Sequence, residues 1–452
     1  MEKKKRAALH NLGCKVNAYE TDAMQQMLEE AGYEIVPFSQ EAEVYLINTC
    51  SVTNMADRKS RQMIHRARKL NPKAVVVATG CYVQTSTQQV IDDLAVDIVI
   101  GNNQKNQLVD LLEEYLGKEE QEKVISCVDV NAGVIDYENL QVEKTGEHTR
   151  VFIKVQDGCN QFCSYCIIPF ARGRVRSRSV EDVVKEVKHL AAAGYQEVVL
   201  TGIHLSSYGL QEDYNVVYRQ AVVQEQLLKL IEAVAQVEGI RRIRLGSLEP
   251  QVITEDFAKR LSAVDKICPH FHLSLQSGCD ATLRRMNRKY TCEEYELGCD
   301  ILRRHFDHPA ITTDVIVGFP GETEEEFRTT KEFVRRIGFY EMHIFKYSKR
   351  QGTKAATMPN QVPEEIKARR SDELLELEKE MSKAYRESYV KREVEVLLET
   401  PTSIEGVSYY TGYTREYIRV AVKTNQDLSN TIVDGIIQSE IVDKTYKLSV
   451  ER

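Results

Sequence analysis

No run of roughly 18 or more apolar residues occurs in this 452-residue chain, so the sequence predicts no membrane-spanning helix. The basic residues 1–6 are not followed by an apolar segment of the length that export requires, and we therefore expect no signal peptide. No solenoid repeat and no low-complexity tract is visible. With 42% hydrophobic residues the chain can form sizeable cores. Its length predicts about three domains.

The formal net charge is −8, which argues against attraction of nucleic acid over the whole surface but leaves room for a local basic patch. The chain has eleven cysteines. Without export, we expect reduced thiols and metal ligands in a cytoplasmic protein rather than disulfides. Five cysteines follow no pattern and are expected to pack as small buried hydrophobes, namely Cys127, Cys268, Cys279, Cys292 and Cys299.

The first part of the chain alternates apolar β-branched runs with amphipathic helices, which predicts an α/β domain with a doubly wound parallel sheet. The predicted strands are 7–10, 44–47, 74–78 and 98–100, and the predicted helices are 19–31, 54–70 and 104–116. Cys14, Cys50 and Cys81 each follow a strand. Because parallel strands share one carboxyl edge, these cysteines should meet there. They could be partly buried thiols, but the shared edge and the preceding Gly13 and Gly80 favour a metal cluster.

From residue 151 six more strands alternate with helices, which predicts an incomplete, TIM-like α/β barrel with its chemistry at the carboxyl ends of the strands. The predicted strands are 151–155, 198–200, 242–245, 271–275, 314–317 and 342–345; the predicted helices are 180–193, 224–237, 254–263, 280–306 and 324–337. A charged helix, 363–389, leads to three short strands that predict a small all-β, OB-like module. We expect domains at 1–125, 145–380 and 385–452, the first two joined by an irregular polar linker.

A second group of cysteines, Cys159, Cys163 and Cys166, follows the first strand of this barrel, with three and then two residues between them. Thiolates at such close spacing are ligands for soft metals. The alternatives are a structural zinc site, which requires four ligands, and chance clustering of core cysteines. Three ligands are better suited to a [4Fe–4S] cluster in which one iron stays open for a small molecule.

The carboxyl ends of the barrel strands carry small or polar residues that suit a nucleotide-like cofactor. Each such turn alone is more often structural, but the edge that these turns share with Cys159 favours cofactor binding. The candidate cofactor-binding residues are Thr201, Gly202, His204, Gln276, Ser277, Gly318 and Glu322.

Basic residues border both groups of cysteines, in the helix after Cys50 and in the segment after Cys166. These are either solvated faces or phosphate contacts. The tail adds arginines interleaved with tyrosines, a pattern that suits single-stranded RNA but also occurs in ordinary strands. The candidate RNA-binding residues are Arg58, Arg61, Arg66, Arg172, Arg174, Arg176, Arg415 and Arg419, with Tyr409, Tyr410, Tyr413 and Tyr417 among those of the tail.

The CxxxCxxC spacing from Cys159 resembles that of radical S-adenosylmethionine (SAM) enzymes, in which the open iron holds the amino and carboxylate groups of SAM. The order of a three-cysteine α/β domain, this barrel and a small β-module resembles the radical SAM methylthiotransferase family over essentially the whole chain. Segments 12–17, 45–54 and 167–173 are similar to the MtaB-type branch, which modifies N6-threonylcarbamoyladenosine in tRNA. The isopentenyladenosine branch usually has Gln-Met-Asn where this chain has Lys15-Val16-Asn17.

The tail is similar to the TRAM domain, an RNA-binding module. Two features depart from the family pattern. Cys279 stands where serine or asparagine is expected, and segment 210–223 has the length of an enlarged loop. Neither departure touches the six cysteines of the two groups.

The resemblance implies SAM and two [4Fe–4S] clusters, the first held by Cys14, Cys50 and Cys81 and the second by Cys159, Cys163 and Cys166. It implies transfer of a methylthio group to C2 of N6-threonylcarbamoyladenosine at position 37 of tRNA, next to the anticodon. The electron donor would be a flavodoxin or ferredoxin, and the sulfur donor is not indicated. The alternatives are isopentenyladenosine in tRNA, an aspartate of a ribosomal protein, or a non-catalytic iron–sulfur RNA-binding sensor that needs no SAM site.

Overall fold

The computed structural model describes residues 4–119, 122–133, 135–144, 149–210 and 220–450. Most of the segment 210–223 that the sequence singles out lies outside these residues. None of the described helices is both long and apolar enough to cross a membrane.

The amino-terminal part is a parallel sheet of six strands within the described residues, in the order β2-β1-β3-β4-β5-β6. The strands β1 to β6 are Arg6–Asn11, Glu34–Ile35, Val44–Thr49, Val75–Gly80, Ile98–Ile100 and Val124–Ser126. The helices α1 to α5 are Lys15–Glu30, Asn54–Leu70, Cys81–Thr85, Thr87–Ile91 and Leu108–Gly117. Apolar cores lie on both faces of this sheet, as a doubly wound fold requires. The sequence prediction missed the short edge strands β2 and β6.

The middle of the chain forms the predicted incomplete barrel. Strands β7 to β13 are Arg150–Asp157, Arg176–Ser177, Glu197–Gly202, Arg242–Leu245, His270–His272, Ala310–Val317 and Glu341–Lys346. Helices α6 to α13 are Ile168–Arg172, Val180–Ala192, Gln220–Ala235, Glu255–Ser262, Asp280–Arg285, Cys292–His305, Glu324–Ile337 and Glu364–Glu387. In the described chain the sheets β10-β9-β7-β8 and β11-β12-β13 are joined by isolated parallel bridges, one of which pairs Leu248 with Leu273. The antiparallel strand β8 was not predicted.

The single helix predicted over 280–306 is two helices in the structure. The helix α10 ends at Arg285, and Asn287 adopts a left-handed conformation with φ of 61°. Thr291 then begins α11 with a capping box, in which its side chain and that of Glu294 bond each other's backbone amides. The apolar pattern continues across this break, so helical periodicity alone did not reveal it.

The carboxyl-terminal part is a closed barrel in the order β14-β15-β16-β18-β17, the Greek-key arrangement of an OB-like fold. Strands β14 to β18 are Glu393–Ile404, Val407–Thr414, Arg419–Lys423, Thr431–Val442 and Thr445–Ser449. The sequence prediction missed β15 and β17. This barrel packs against the amino ends of β7 and β10, where Arg242 donates to the carbonyl oxygen of Tyr413 at 3.0 Å.

Candidate iron–sulfur and substrate site

The first three cysteines meet at the carboxyl edge of the amino-terminal sheet. Cys50 and Cys81 follow β3 and β4 directly, and Cys14 precedes α1. The loop at Gly13 passes so close to Cys50 that a side-chain carbon at Gly13 would lie 3.0 Å from the Cys50 sulfur; its φ of 110° also favours glycine. Burial raises the pKa of Cys50 to about 11, and the charges of Cys81 and Cys14 add to this rise. The fold thus brings three thiols that are far apart in the sequence close enough for their charges to affect one another.

The second group lies in the loop between β7 and α6. The Cys159 amide donates to the Gly173 carbonyl at 3.1 Å, and the Cys166 amide donates to the Cys163 carbonyl at 2.9 Å. Burial raises the pKa of Cys166 to about 12, and the charge of Cys163 contributes to this rise. The three thiols are therefore close together in a pocket that disfavours uncompensated negative charge.

Arg288 is a residue of this site that sequence reasoning missed. Its Nη1 donates to the Cys163 sulfur at 3.3 Å, and its Nη2 donates to both carboxylate oxygens of Glu249 at 2.6 Å. Glu249 in turn lies 3.5 Å from Nε2 of His204. Arg288 occurs 125 residues after Cys163, in the segment predicted as mid-helix, so no local pattern connected the two.

The two groups of cysteines lie side by side. The helix α3, which begins with Cys81, packs against α6, which follows Cys166. Asn102 connects them, because its Nδ2 donates to the Ala171 carbonyl at 2.7 Å and contacts the Cys81 sulfur at 3.8 Å. Cys81 is also among the charges that raise the pKa of Cys166. The structure thus brings two candidate metal centres to one face of the molecule.

The number of cysteines in each group distinguishes a cluster from a structural zinc ion. Structural zinc is held by four protein ligands in a closed shell. Each group here has three cysteines and so leaves one metal position without a protein ligand, as in a [4Fe–4S] cluster with one open iron. The residues present therefore fit a [4Fe–4S] cluster in each group, with three protein ligands.

Beneath the face that carries the two groups of cysteines, a buried network of charged side chains joins the first sheet to the barrel. Glu20 of α1 accepts from Arg172 at 2.7 Å and from Lys154 at 2.7 Å, and lies 3.3 Å from Lys105. Although burial opposes ionisation of Glu20, Arg172, Lys105 and Lys154 hold its pKa well below the ordinary value. Asp157 accepts from Lys154 at 2.7 Å within the same network.

Two of the candidate RNA-binding arginines are therefore in the interior. Arg172 is fully buried against Glu20, and Arg176 is buried with its Nη2 3.6 Å from Asp157. Arg415 donates to the backbone carbonyls of Asp265 and Ile267, so it holds the carboxyl-terminal barrel against the core. The expectation that these three contact RNA is not supported by their positions, because their guanidinium groups are occupied inside the protein.

The other candidate RNA-binding residues lie at the surface. Arg58, Arg61 and Arg66 are exposed on one helix, α2, and Arg419 is exposed on β16. Arg174 is half-buried, with its guanidinium 4.5 Å from the ring centre of Phe162.

The tyrosines of the tail likewise divide into two that contact the core and two that line a surface cleft. Tyr413 and Tyr417 stack on each other at 4.6 Å, and Arg150 of the core lies 4.9 Å from both rings, so these two serve the contact with the core. Tyr409 and Tyr410 instead line a surface cleft of about 520 Å³ between β15 and the segment 424–427. Of the four tyrosines, Tyr409 and Tyr410 are thus the two at this cleft, and Arg419 is exposed on the neighbouring strand β16.

Most candidate SAM-binding residues lie at the predicted strand ends. Thr201 and Gly202 end β9, and His204 follows, with its amide donating to Gln156 Oε1 at 2.7 Å. Gln276 adopts a left-handed conformation after β11, with φ of 68°. Gly318 follows β12 with φ of 71°.

Two others have side chains that are already engaged. Ser277 is fully buried, with its hydroxyl 3.2 Å from that of Thr330. The Glu322 carboxylate accepts from the Gly318 amide at 2.6 Å and from Arg370 at 2.7 Å. These contacts give Ser277 and Glu322 a part in shaping the turns, whereas direct contact with SAM by their side chains is not supported.

Comparison with known proteins agrees with this architecture. Residues 6–101 match the profile described as uncharacterized protein family UPF0004, and residues 153–334 match that of the radical SAM superfamily. A radical SAM methyltransferase, TsrM from Kitasatospora setae, has a similar fold, with a TM-score of 0.54, 17% identity, and coverage of 78% of this chain and 74% of that one. The middle of the chain thus matches the radical SAM superfamily, and the chain shares its fold with an enzyme of that class.

More similar proteins specify the family. The chain is 42% identical to threonylcarbamoyladenosine tRNA methylthiotransferase MtaB of Bacillus subtilis, over 94% of this chain and 92% of that protein. It is 42% identical to the protein of that name from Aquifex aeolicus, over 87% of this chain and 92% of that protein. It is 37% identical to tRNA-2-methylthio-N(6)-dimethylallyladenosine synthase of Moorella thermoacetica, over 93% of each. The chain belongs to the radical SAM methylthiotransferase family, whose transferases use SAM and [4Fe–4S] clusters.

Proposed function

We propose that this protein transfers a methylthio group to C2 of N6-threonylcarbamoyladenosine at position 37 of tRNA. The observation that carries the proposal is the pair of three-cysteine groups side by side, with Asn102 contacting both Cys81 and the helix that follows Cys166. A sulfur-inserting enzyme needs a site that generates a radical and a site that supplies sulfur within reach of one base. A sensor protein would need only one such site.

The C2–H bond of adenine is neither acidic nor nucleophilic, so side-chain acids and bases cannot activate it. SAM and the clusters supply radical chemistry, sulfur and a methyl group when bound. Cys159, Cys163 and Cys166 would hold the cluster that binds SAM, with Thr201, Gly202, His204, Gln276 and Gly318 around the SAM molecule. Cys14, Cys50 and Cys81 would hold the other cluster. The protein itself positions these groups, through Arg288 at Cys163 and through the buried Glu20 network.

The choice of threonylcarbamoyladenosine over the dimethylallyl substrate rests on the relatives and on one residue. Identity is 42% to two proteins named for the former substrate and 37% to one named for the latter. Lys15, next to Cys14, adds an exposed cation beside the proposed site. This cation suits a substituent that carries a carboxylate, because opposite charges attract.

We also propose the cellular setting of this reaction. The partners are tRNA and a flavodoxin or ferredoxin that donates electrons, in the cytoplasm. Residues 1–125 carry the auxiliary cluster, 145–380 form the radical SAM core, and 385–452 form a TRAM-like RNA-binding domain. The exposed arginines of α2, together with Arg174 and Arg419, would contact phosphates.

The test is a reaction of the anaerobically reconstituted protein with tRNA that carries threonylcarbamoyladenosine, followed by mass analysis of the nucleosides. A methylthio product is expected, and a parallel reaction with isopentenyladenosine tRNA should give little or none. Preference for the isopentenyl substrate would reassign the enzyme to the other tRNA branch. No product from either RNA, with SAM cleavage intact, would contradict action on tRNA.

Two triple variants test the roles of the cysteine groups. Replacing Cys159, Cys163 and Cys166 by alanine should halve the iron content and abolish SAM cleavage. Replacing Cys14, Cys50 and Cys81 should also halve the iron but leave cleavage of SAM to deoxyadenosine largely intact, without methylthio product. Replacement of Cys127, Cys268 and Cys299 is the matched control and should leave the iron content unchanged. Methylthiolation by the second variant would contradict the two-cluster arrangement.

A further inference from the structure

Three side chains that can bind a metal ion meet on the inner face of the barrel, one from each of β11, β12 and β13. They are His272, Asp314 and His343, named here the interior triad. The register pairs Asp314 with His343 and His272 with Thr312, and alternate residues of a strand share a face, so all three lie on one side of the sheet. Their neighbours along the strands pack on the other side, in the apolar core with the helices: Phe271, Val315 and Met342. The interior triad therefore faces the cavity of the barrel.

The atoms of the interior triad are spaced as ligands of one ion. One nitrogen of each histidine and one carboxylate oxygen all lie within 4.8 Å of one another. Nε2 of His272 is 3.3 Å from Oδ2 of Asp314. Two atoms that bind one zinc ion at about 2.0 Å and at a tetrahedral angle are about 3.3 Å apart, so this pair already has the required separation. The His343 ring stacks on that of His272, with centroids 5.9 Å apart, and supplies the third ligand.

The other ring nitrogen of His272 has a partner of its own. Nδ1 lies 3.0 Å from the hydroxyl of the buried Thr312. Histidines that bind metals usually make such a second hydrogen bond, because it fixes the ring and directs the other nitrogen at the ion. When Nδ1 donates to Thr312, the lone pairs of Nε2 and of the Asp314 carboxylate face each other, and a cation between them turns this repulsion into coordination. An ordinary ion pair needs only one histidine beside the carboxylate, whereas here His343 is within reach as well.

We propose that the interior triad binds one divalent transition metal ion, such as Zn²⁺, with at least one coordination position open to the barrel cavity. Two imidazoles and one carboxylate are a ligand set of such ions, and three protein ligands leave room for a further oxygen ligand. His343 is exposed, so the ion can enter from solvent. The site shares no residue with the two groups of cysteines and contains no sulfur. The inference goes beyond the proposed function and does not depend on it.

The experiment uses Zn²⁺ as the probe and the anaerobically reconstituted protein, in which the clusters occupy the cysteines of the two groups. Excess iron is removed with a chelator, stoichiometric Zn²⁺ is added, and the desalted protein is analysed for zinc. We expect one zinc ion per chain. X-ray absorption at the zinc edge then identifies the ligands. It should show nitrogen and oxygen at about 2.0–2.2 Å and no sulfur at about 2.3 Å.

Variants separate this site from other places where zinc could bind. His343→Asn and Asp314→Asn each remove one ligand, and zinc affinity is measured by competition with a chromophoric chelator. Each should weaken binding at least tenfold, because loss of even an outer partner of a metal ligand costs about 10- to 100-fold. His65→Asn is the matched control, since His65 is an exposed histidine beside a carboxylate, that of Asp93, and it should leave the affinity unchanged. Iron content and melting temperature verify that each variant is folded and holds its clusters.

Three results would overturn the inference. One is wild type that retains no zinc, and another is a zinc ion with sulfur ligands, which would place it at cysteines; neither requires a variant. The third is a zinc affinity of His343→Asn equal to that of wild type, or a loss in His65→Asn as large as that in His343→Asn. None of these results bears on methylthio transfer, which is measured separately with modified tRNA.

Discussion

Glu20 illustrates how single side chains set the relation between the two parts of the site. It belongs to the helix that follows Cys14, yet its carboxylate is held by Arg172 and Lys154 of the barrel. All three are buried, and their charges are compensated only by one another and by close neighbours. A shift of either part would leave a buried charge unpaired, which is strongly unfavourable. The network therefore fixes the distance between the two groups of cysteines.

We expect Glu20→Gln to lower the free energy of unfolding by about 3–5 kcal/mol, because it leaves buried cations uncompensated. Denaturant unfolding of the apoprotein measures this. The stabilisation is present above the ordinary carboxyl pKa of about 4.3 and is lost as the pH falls toward the lower folded-state pKa, so wild type and variant should converge in acid. Glu114→Gln, at an exposed ion pair, is the control and should have no measurable effect. Equal stability of Glu20→Gln and wild type at neutral pH would contradict this account.

Arg288 is a second single residue that affects the site, through its contact with the second group of cysteines. Its hydrogen bond to Cys163 and its positive charge favour the more negative, reduced form of a bound cluster. Arg288→Gln should therefore make the reduction potential of that cluster more negative in a redox titration of the Cys14, Cys50 and Cys81 triple-alanine protein. The exposed Arg284→Gln should leave it unchanged. An unaltered potential in Arg288→Gln would show that the contact with sulfur does not tune the cluster.

At the level of secondary-structure elements, α2 presents its basic residues to solvent and its apolar residues to the sheet. Ile64 and Ala67 are buried in the core, whereas Arg58, Arg61 and Arg66 are exposed. The Thr53 hydroxyl begins the helix by accepting from the Ala56 amide at 3.1 Å, directly after the loop that carries Cys50. The exposed face thus lies next to the first group of cysteines, where a tRNA backbone would pass.

Replacing Arg58, Arg61 and Arg66 by glutamine should weaken tRNA binding and flatten its dependence on salt. Each lost phosphate contact reduces the slope of log K against log salt by about 0.7–0.9, so a change of about 2–3 is expected. Binding titrations over a range of salt concentrations measure both quantities. The control removes three exposed cations elsewhere, Arg328, Lys379 and Lys383. The same slope in the α2 variant and wild type would identify this face as merely solvated.

At the level of the whole molecule, the carboxyl-terminal barrel is part of the core's structure as well as a candidate RNA-binding module. Its residues Val396 and Ile418 share one apolar cluster with Ala310 and Tyr340 of the radical SAM barrel. Arg244 of β10 donates to the Arg415 carbonyl at 2.9 Å and lies 4.7 Å from the Tyr417 ring. The sequence alone predicted this module only as a separate domain, 385–452.

Removal of residues 389–452 should therefore lower the melting temperature and reduce the recovery of folded, iron-loaded protein, because it exposes apolar surface around Tyr340. Thermal melting and iron analysis measure this. Arg419→Gln in the intact chain is the matched change, and it should weaken tRNA binding without altering the melting temperature. A truncated protein with normal melting and both clusters would show that the two barrels are independent.

The sequence by itself determined the elements whose signals are local. The α2 boundaries, Asn54–Leu70, were predicted correctly because the apolar periodicity lies within the helix and Asn71-Pro72 directly follows it. The parallel sheet and the barrel followed from alternating apolar runs. The cysteine spacing around Cys159 indicated a soft-metal site, and its resemblance to a known signature predicted the class of enzyme. The short edge strands were missed because two or three residues carry no period.

Only the tertiary structure decided which charged residues face solvent and which are buried. Arg172 and Arg58 belong to similar basic runs, yet Arg172 pairs with Glu20, which precedes it by 152 residues, and Arg58 remains exposed. The contact of Arg288 with Cys163 depends in the same way on two distant segments meeting. The reason is physical: burial and pairing of a charge depend on what surrounds it in space, and local sequence specifies only its neighbours along the chain.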